Sequence, residues 1–155
     1  MDVPRTSANP SLKEIAEHPF LRGLKQEHVS LLADCAMRSH FAKGERIFGV
    51  GDPANRFYLL QKGKVALESS SNDGVKILQQ IGAGDVLGWS WLFPPYTWHF
   101  DARAVEPTEA IFLYGTRVRE LCDSNHDLGY EMMNRTASVL INRLTAVRRE
   151  LVVKS

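Results

Sequence analysis

Apolar side chains recur at helical spacing near the start of the chain, between Ser11 and Met37, which predicts short N-terminal helices. Ser11 followed three residues later by Glu14 is the pattern of a capping box, so the first helix is expected to begin there. The helical part is expected to span residues 12–41, after a flexible polar tail at residues 1–11. The apolar positions with this spacing are Leu12, Ile15, Ala16, Phe20, Leu24, Val29, Leu32 and Ala36.

Beyond Phe41 the pattern changes to short runs of β-branched and aromatic residues separated by glycine-marked turns. Many short strands at this spacing predict an antiparallel sandwich or roll, which we expect over residues 42–115. Asn72-Asp73-Gly74 separates two of these runs and is a strong signal for a tight hairpin. The expected strands are 46–48, 56–61, 64–68, 75–81, 97–105 and 110–114.

A long amphipathic helix is predicted near the C-terminus, after a short helix at 116–121. Asn125 or Asp127 can cap the long helix, which runs toward Val153, so helices are expected over residues 116–153. A first apolar stripe follows the heptad pattern and consists of Met133, Ala137, Leu140, Leu144, Val147 and Leu151. A second stripe recurs every seven residues at Met132, Val139, Ala146 and Val153.

Two apolar stripes on one helix call for two packing partners. One is the protein's own sheet region, and the economical second partner is the same helix of another copy, so we expect a homodimer through this helix. The alternative is a single wide stripe that faces the core of a monomer. Basic residues on the last turns, Arg143, Arg148 and Arg149, are expected to form a solvated face.

Size and charge limit the classes of function. The 155 residues allow one domain with a substantial core, expected at 12–155. Nineteen basic and eighteen acidic side chains give a net charge of +1, which offers no bulk attraction to nucleic acid or membranes. The chain has neither a signal-peptide layout nor an apolar run near the roughly 20 residues of a membrane span. Cys35 and Cys122 lack metal-site spacing, so a cytoplasmic protein with reduced cysteines is expected.

Short segments around several glycines resemble the cyclic-nucleotide-binding domains of the catabolite activator protein type. The segments are Lys43-Gly44-Glu45-Arg46-Ile47-Phe48, Gly51-Asp52, Phe57-Tyr58-Leu59-Leu60, Lys62-Gly63-Lys64-Val65 and Gly84-Asp85-Val86-Leu87-Gly88. The resemblance covers about residues 12–153. It implies a mainly β domain with flanking helices: an eight-stranded antiparallel β-roll of the double-stranded jelly-roll type, short N-terminal helices and a long C-terminal helix.

In that family the last of these segments leads into a phosphate-binding cassette, which corresponds here to residues 84–103. A Glu of the cassette accepts the ribose hydroxyl and an Arg pairs with the cyclic phosphate, but the matching positions hold Trp89 and Trp98. Loss of a charge-assisted partner costs about 2–5 kcal/mol, so tight cyclic-nucleotide binding is not expected. The candidate ligand pocket comprises Gly88, Trp89, Ser90, Trp91, Trp98, His99 and Arg103.

Three interpretations of the tryptophans stay open. The indoles can fill the vacated phosphate pocket as core, line a pocket for an apolar, planar or cationic ligand, or form a surface patch with Pro94 and Pro95. His99 is more often a hydrogen-bonded structural residue in such a strand, and an anion donor or haem ligand is the alternative. Arg103, close to Asp101, favours a surface or structural ion pair over a phosphate contact.

The leading hypothesis is a stand-alone, dimeric regulatory domain whose small-molecule effector is not a cyclic nucleotide, or is a cyclic nucleotide that binds only weakly. A genuine cyclic AMP or cyclic GMP sensor and a ligand-free protein-interaction adaptor are the alternatives. Transcription factors of the family carry a helix-turn-helix after the long helix, but this chain ends at Ser155, so we do not expect it to bind DNA alone. No catalytic motif, metal site or cofactor site is recognised, and an enzyme is not expected.

Overall fold

Four helices and eight strands make up the part of the chain that the structure, a computed structural model, describes, which is residues 9–87 and 95–154. The strands are β1 Ala36–Phe41, β2 Arg46–Phe48, β3 Arg56–Lys62, β4 Lys64–Ser71, β5 Gly74–Gly82, β6 Val86–Leu87, β7 Asp101–Ala104 and β8 Thr108–Tyr114. The helices are α1 Leu12–Glu17, α2 Gln26–Ala33, α3 Gly115–Ser124 and α4 His126–Lys154.

The strands form two four-stranded antiparallel sheets, in the orders β1-β8-β3-β6 and β2-β7-β4-β5. Side chains from both sheets meet in one buried apolar cluster between them. Its largest members are Phe48, Tyr58, Leu60, Leu67, Ile81, Leu87, Trp98 and Phe112. The expected mainly β fold, an eight-stranded antiparallel roll with flanking helices, is therefore confirmed.

Strand β3 separates this roll core from a second core beneath the helices. Because successive side chains of a strand point to opposite faces, Tyr58 and Leu60 face the roll, whereas Phe57 and Leu59 face the helices. The helices contribute Ile15, Leu32, Leu128 and Met132, all fully buried, to the second core. The sheet that contains β3 thus lies between two apolar layers, and α4 packs against it through the first half of its length.

The predicted capping box at the start of α1 is confirmed. The Glu14 N–H donates to Ser11 Oγ at 3.1 Å, and the Ser11 N–H donates to Glu14 Oε1 at 3.2 Å. Arg38 of β1 donates to the other oxygen of Glu14 at 2.7 Å. The hydrogen bonds that the Glu14 carboxylate accepts, first that from Arg38 and then that from the Ser11 N–H, lower its pKa to about 2. The cap therefore also ties the first helix to the sheet.

The helical expectation for residues 36–41 is wrong, because this segment is strand β1. Its partner is β8, with a register that runs from Ala36 opposite Leu113 to Phe41 opposite Thr108. Ala and Met favour helices locally, but β8 needs a hydrogen-bonded neighbour on this side, and such tertiary pairing outweighs local propensity.

The tight hairpin expected at Asn72-Asp73-Gly74 is confirmed. Ser71 pairs with Gly74 across the turn, and the β4–β5 ladder continues from there to Lys64 opposite Gly82. Strand β5 is the edge strand of its sheet, and its first half is exposed. The end of β5 and α4 line one cavity together, so this edge strand lies next to the long helix.

Asn125 separates the two C-terminal helices. Its backbone N–H donates to the Leu121 carbonyl at 2.8 Å and closes α3, while its side-chain oxygen accepts from the Leu128 N–H at 3.1 Å. Of the two residues considered as caps for the long helix, Asn125 is therefore the one that caps it. Helix α4 has 29 residues. No helix in the described ranges is long and apolar enough to cross a membrane.

Candidate functional site

Four of the seven candidate pocket residues, Gly88, Trp89, Ser90 and Trp91, lie outside the described residues. The other three, Trp98, His99 and Arg103, lie on the segment that leaves the cassette. The structure places them on two different faces of this segment.

Trp98 is a core residue of the roll, with 4% of its surface exposed. Its ring stacks on that of Phe48, with centroids 3.7 Å apart and planes 6° apart. The backbone is fixed as well: the Trp98 N–H donates to the Asp52 carbonyl and the Gly51 N–H donates to the Trp98 carbonyl, both at 3.0 Å. Trp98, the residue that the sequence pattern aligns with the family's phosphate-binding Arg, is therefore a buried core residue.

The segment around Trp98, residues 97–105, is not the single continuous strand that the sequence predicts. Only Asp101–Ala104 forms strand β7, and Thr97 makes a single isolated bridge to Pro53. Tyr96, directly before this segment, adopts a left-handed backbone conformation with φ of 58°. The guanidinium of Arg119, on α3, lies 4.1 Å from the centroid of the Tyr96 ring, so a cation–π contact joins the cassette exit to the helices.

Arg103 lies on the outer face of β7. Ala102 and Ala104, its neighbours in the strand, are fully buried in the roll, so the side chain of Arg103 points away from it. Its guanidinium donates to the Gly44 carbonyl at 2.9 Å and pairs with Glu68 at 3.4 Å. The expected ion pair thus exists with Glu68 as its partner.

Asp101, which the sequence suggested as the partner of Arg103, has other contacts. It accepts from the Val50 N–H at 2.9 Å and pairs with Arg46 at 3.4 Å. His99, between Trp98 and these outward residues, is exposed. The two residues considered as replacements for the missing cassette Arg are therefore an exposed imidazole and a guanidinium held on the outer face.

Sequence reasoning missed Arg143, which it assigned to a solvated face. The side chain is partly buried, and its guanidinium donates to the carbonyl of Val86, at the end of the described lead-in to the cassette. Burial lowers the pKa of Arg143 to about 10, and the nearby Asp85 opposes this shift. The expectation fails because position 143 follows Met132, Thr136 and Val139 on the inward face of α4. Arg148 and Arg149 are exposed, as expected.

A cavity of about 240 Å³ lies beside this arginine, between α4 and the end of β5. We call it the helix–strand cavity. Its lining residues are Gln79, Gln80, Ile81, Asp85, Val139, Asn142 and Arg143. The cavity therefore combines one guanidinium, one carboxylate and three carboxamides next to the point where the cassette begins.

A larger groove of about 510 Å³ lies on the side of α3 and α4. Tyr96 and Arg119 form one end of it, and Cys122, His126 and Met133 are among the other lining residues. Burial raises the pKa of the Cys122 thiol, and that of the Cys35 thiol to about 11. These cysteines are thus less acidic than ordinary thiols, and the described part of the chain contains no group of three or more side chains that could hold a metal ion.

The heptad stripe of α4 is largely exposed in the single chain. Met133 has 45%, Leu144 64% and Leu151 63% of its surface exposed. Ala137 and Val147 are exposed too, and Leu140 is half-buried. In the second stripe Met132 is fully buried and Val139 packs against the core, whereas Ala146 is exposed. The second stripe thus faces the chain's own core over its first half, and the first stripe faces away.

Comparison with known proteins agrees with this fold. Residues 38–125 match the sequence model of the family described as "Cyclic nucleotide-binding domain". The chain therefore belongs to the cyclic nucleotide-binding domain family, whose members serve as regulatory domains.

Three relatives illustrate the range. The chain is 32% identical over 97 residues to the cyclic AMP receptor protein of Thermus thermophilus. The matched region covers 62% of this chain and 45% of that protein. It is 30% identical over 70 residues to the cAMP-dependent protein kinase type II regulatory subunit of Drosophila melanogaster, over 45% of this chain and 19% of the subunit. The chain thus spans less than half of either relative. A crystal structure of a protein assigned as cyclic nucleotide-binding, from Geobacter metallireducens, superposes with a TM-score of 0.80 at 29% identity, over 87% of this chain and 98% of the other.

Proposed function

We propose that this chain is a regulatory domain that responds to an effector other than a tightly bound cyclic nucleotide. The observation that carries the proposal is the burial of Trp98 against Phe48, at the cassette position that holds the phosphate-binding Arg in the family pattern. We place the chain among regulators and not among enzymes, in line with the receptor protein and the regulatory subunit that it resembles.

The lack of a positively charged partner for the cyclic phosphate is the reason why we do not expect tight binding of a cyclic nucleotide. A cyclic phosphate that leaves water needs a charge-assisted partner, and its loss costs about 2–5 kcal/mol, or roughly 30- to 5,000-fold in affinity. Arg103 does not compensate, because its side chain points out of the roll and is held there by Glu68 and the Gly44 carbonyl. Arg103 therefore supplies no positive charge to the interior of the roll.

We also propose that the active form is a homodimer joined through α4. The exposed heptad stripe gives this helix a continuous apolar face directed away from its own roll. Arg143 of the same helix touches the Val86 carbonyl, so a change in the cassette would reach the helix through a direct contact. Occupancy of the effector site would then alter the geometry of the helix pair.

The deciding experiment is a calorimetric titration of the purified protein with cyclic AMP and cyclic GMP, carried to millimolar ligand. We expect no binding below the millimolar range. The cyclic AMP receptor protein of Thermus thermophilus, titrated in parallel, checks that the ligand and the instrument can report binding. Micromolar binding by this chain would overturn the proposal and make it a cyclic-nucleotide sensor.

A further inference from the structure

Helix α4 supplies a cation, Arg143, at the lead-in to the cassette. Arg143 lines the helix–strand cavity and reaches the Val86 carbonyl, whereas Trp98 lies in the core between the sheets. We propose that this cavity binds the anionic group of the effector, a carboxylate or a phosphate, with Arg143 as its cation. The proposal rests on the proposed function and adds the chemical class of the effector.

The guanidinium suits this role because of its geometry and its surroundings. It carries five N–H donors in a planar fork, so it can bind the Val86 carbonyl and an anion at the same time. Burial lowers the pKa of Arg143 to about 10, which leaves the group charged at neutral pH in a site of reduced solvation. A charge pair in such a site is stronger than one on the surface, because water screens it less.

The remaining lining residues complete a polar site. Gln79 and Gln80 of β5 and Asn142 of α4 line the two walls of the cavity, and a carboxamide has N–H groups that can donate to an anion. Asp85 is the one acidic side chain of the lining, and its Oδ2 accepts from the Gly82 N–H at 2.8 Å. That bond fixes the carboxylate at the β5 end of the cavity, so we expect the anion to bind toward the helix.

Size and position define what can occupy the cavity. Its volume of about 240 Å³ is below the range of about 300–1,000 Å³ that is usual for whole drug-sized ligands, so it fits an anionic group with part of its carrier. An anion on Arg143 would also lie next to the Val86 contact, where α4 meets the lead-in to the cassette. Binding of the anion would therefore act directly on the junction between helix and cassette.

The test is an NMR titration of the full chain, labelled with ¹⁵N, with inorganic phosphate in one arm and acetate in the other. We expect saturable shifts of the Arg143 Nε–H and of the carboxamide N–H groups of Gln79, Gln80 and Asn142. Tighter binding of phosphate would indicate a phosphorylated effector, and tighter binding of acetate a carboxylate. Arg143→Gln should raise the dissociation constant about tenfold or more, as expected for loss of a charge-assisted partner.

Arg148→Gln is the matched control, since it removes an exposed arginine five positions further along the same helix. It should change the dissociation constant by less than about twofold. Asn142→Asp is a second variant that keeps Arg143 but adds a negative charge to the lining, and it should also weaken anion binding. Circular dichroism checks that each variant is folded.

Absence of saturable shifts at the cavity, or equal weakening by Arg143→Gln and Arg148→Gln, would overturn the assignment. This result is independent of the cyclic-nucleotide titration. Tight cyclic AMP binding would contradict the proposed function, whether or not inorganic phosphate binds in the cavity. Failure of both phosphate and acetate would remove the anion site and leave the proposed function in place.

Discussion

Trp98 and Phe48 stack face to face in the roll core, with ring centroids 3.7 Å apart. Phe48 also contacts Tyr58 and Phe100, so the indole extends a continuous aromatic cluster that joins the two sheets. Apolar burial of this extent stabilises the domain by several kcal/mol. Trp98 thus has a structural function of its own, and under the proposed alignment an Arg at position 98 would not simply restore a phosphate site.

The first prediction follows from that stacking. Trp98→Arg should lower the free energy of unfolding by about 3–5 kcal/mol, since it replaces packed aromatic surface with a buried charge. Trp98→Phe, the matched control, keeps an aromatic ring and should cost about 1–2 kcal/mol. Urea unfolding followed by circular dichroism measures both. A cost below about 1 kcal/mol for Trp98→Arg would show that the indole does not contribute to the core.

The same residue provides a test with ligand. If the two tryptophans were the only obstacle to cyclic-nucleotide binding, Trp89→Glu combined with Trp98→Arg would tighten cyclic AMP binding. We expect no gain in affinity in the double variant, because the backbone at position 98 directs the side chain into the aromatic cluster. A calorimetric titration at millimolar ligand measures the affinity, and a gain of tenfold or more would contradict this view.

The second prediction concerns the exposed stripe of α4. Leu144→Asp places a charge on its most exposed leucine and should convert a dimer into a monomer, and Leu140→Asp should act in the same direction. Ser138→Asp, an exposed position on the opposite side of the helix, is the control and should leave the dimer intact. Sedimentation velocity measures the mass. Intact dimers in the Leu144→Asp variant would exclude the heptad stripe as the interface.

Local signals were sufficient wherever the structure depends on a few consecutive residues. The Ser11–Glu14 capping box and the hairpin at Asn72-Asp73-Gly74 need only neighbouring side chains and the turn between them, and both were predictable. The roll itself followed from glycines in register with short strands. What the sequence lacked was information on pairing between distant segments.

Two errors have that common origin. Strand β1 forms because β8 offers it a hydrogen-bonding edge. No local pattern in residues 36–41 predicts this pairing. The sequence assigns Arg143 to a solvated face because charged side chains are mostly exposed. Its position seven residues after Thr136, which is buried on the inward face, was the available signal. The loss of the cassette Arg remains a prediction from the sequence, and the cation on the helix was not predicted.

The third prediction is a pH dependence that arises from His18. The Phe20 N–H donates to its Nδ1 at 3.1 Å and its Nε2 lies 2.9 Å from the Leu60 carbonyl, so the buried ring is neutral with its proton on Nε2. Burial lowers the pKa of His18 below the usual 6.5. The unfolded chain then binds the proton more readily than the folded one. The free energy of unfolding should therefore be constant above pH 6.5 in this respect and fall as the pH decreases from 6.5 toward the lower folded-state pKa.

His18→Gln isolates this contribution. Glutamine keeps an N–H that can donate to the Leu60 carbonyl but does not titrate, so the variant should lose less stability than the wild type between about pH 7.5 and pH 5. His40→Gln, at an exposed position of β1, serves as the control. Urea unfolding at both pH values gives the difference. An unchanged pH dependence in His18→Gln would show that other groups control it.

The fourth prediction uses two glycines with similar backbones and different surroundings. Gly63 and Gly44 have φ of 100° and 86°, a region that side chains rarely adopt. A Cβ at Gly63 would lie 2.5 Å from the Pro107 carbonyl oxygen and against the Thr108 hydroxyl, whereas a Cβ at Gly44 would meet nothing within 4 Å.

Gly44→Ala should therefore cost only the backbone strain, about 1 kcal/mol of unfolding free energy. Gly63→Ala should cost about 3 kcal/mol or more, because it adds a clash with the turn that leads into β8. Since β8 pairs with both β1 and β3, displacement of this turn would weaken the central strand of one sheet. Equal losses of stability in the two alanine variants would show that the backbone conformation alone, and not the close approach to Pro107 and Thr108, makes glycine necessary at position 63.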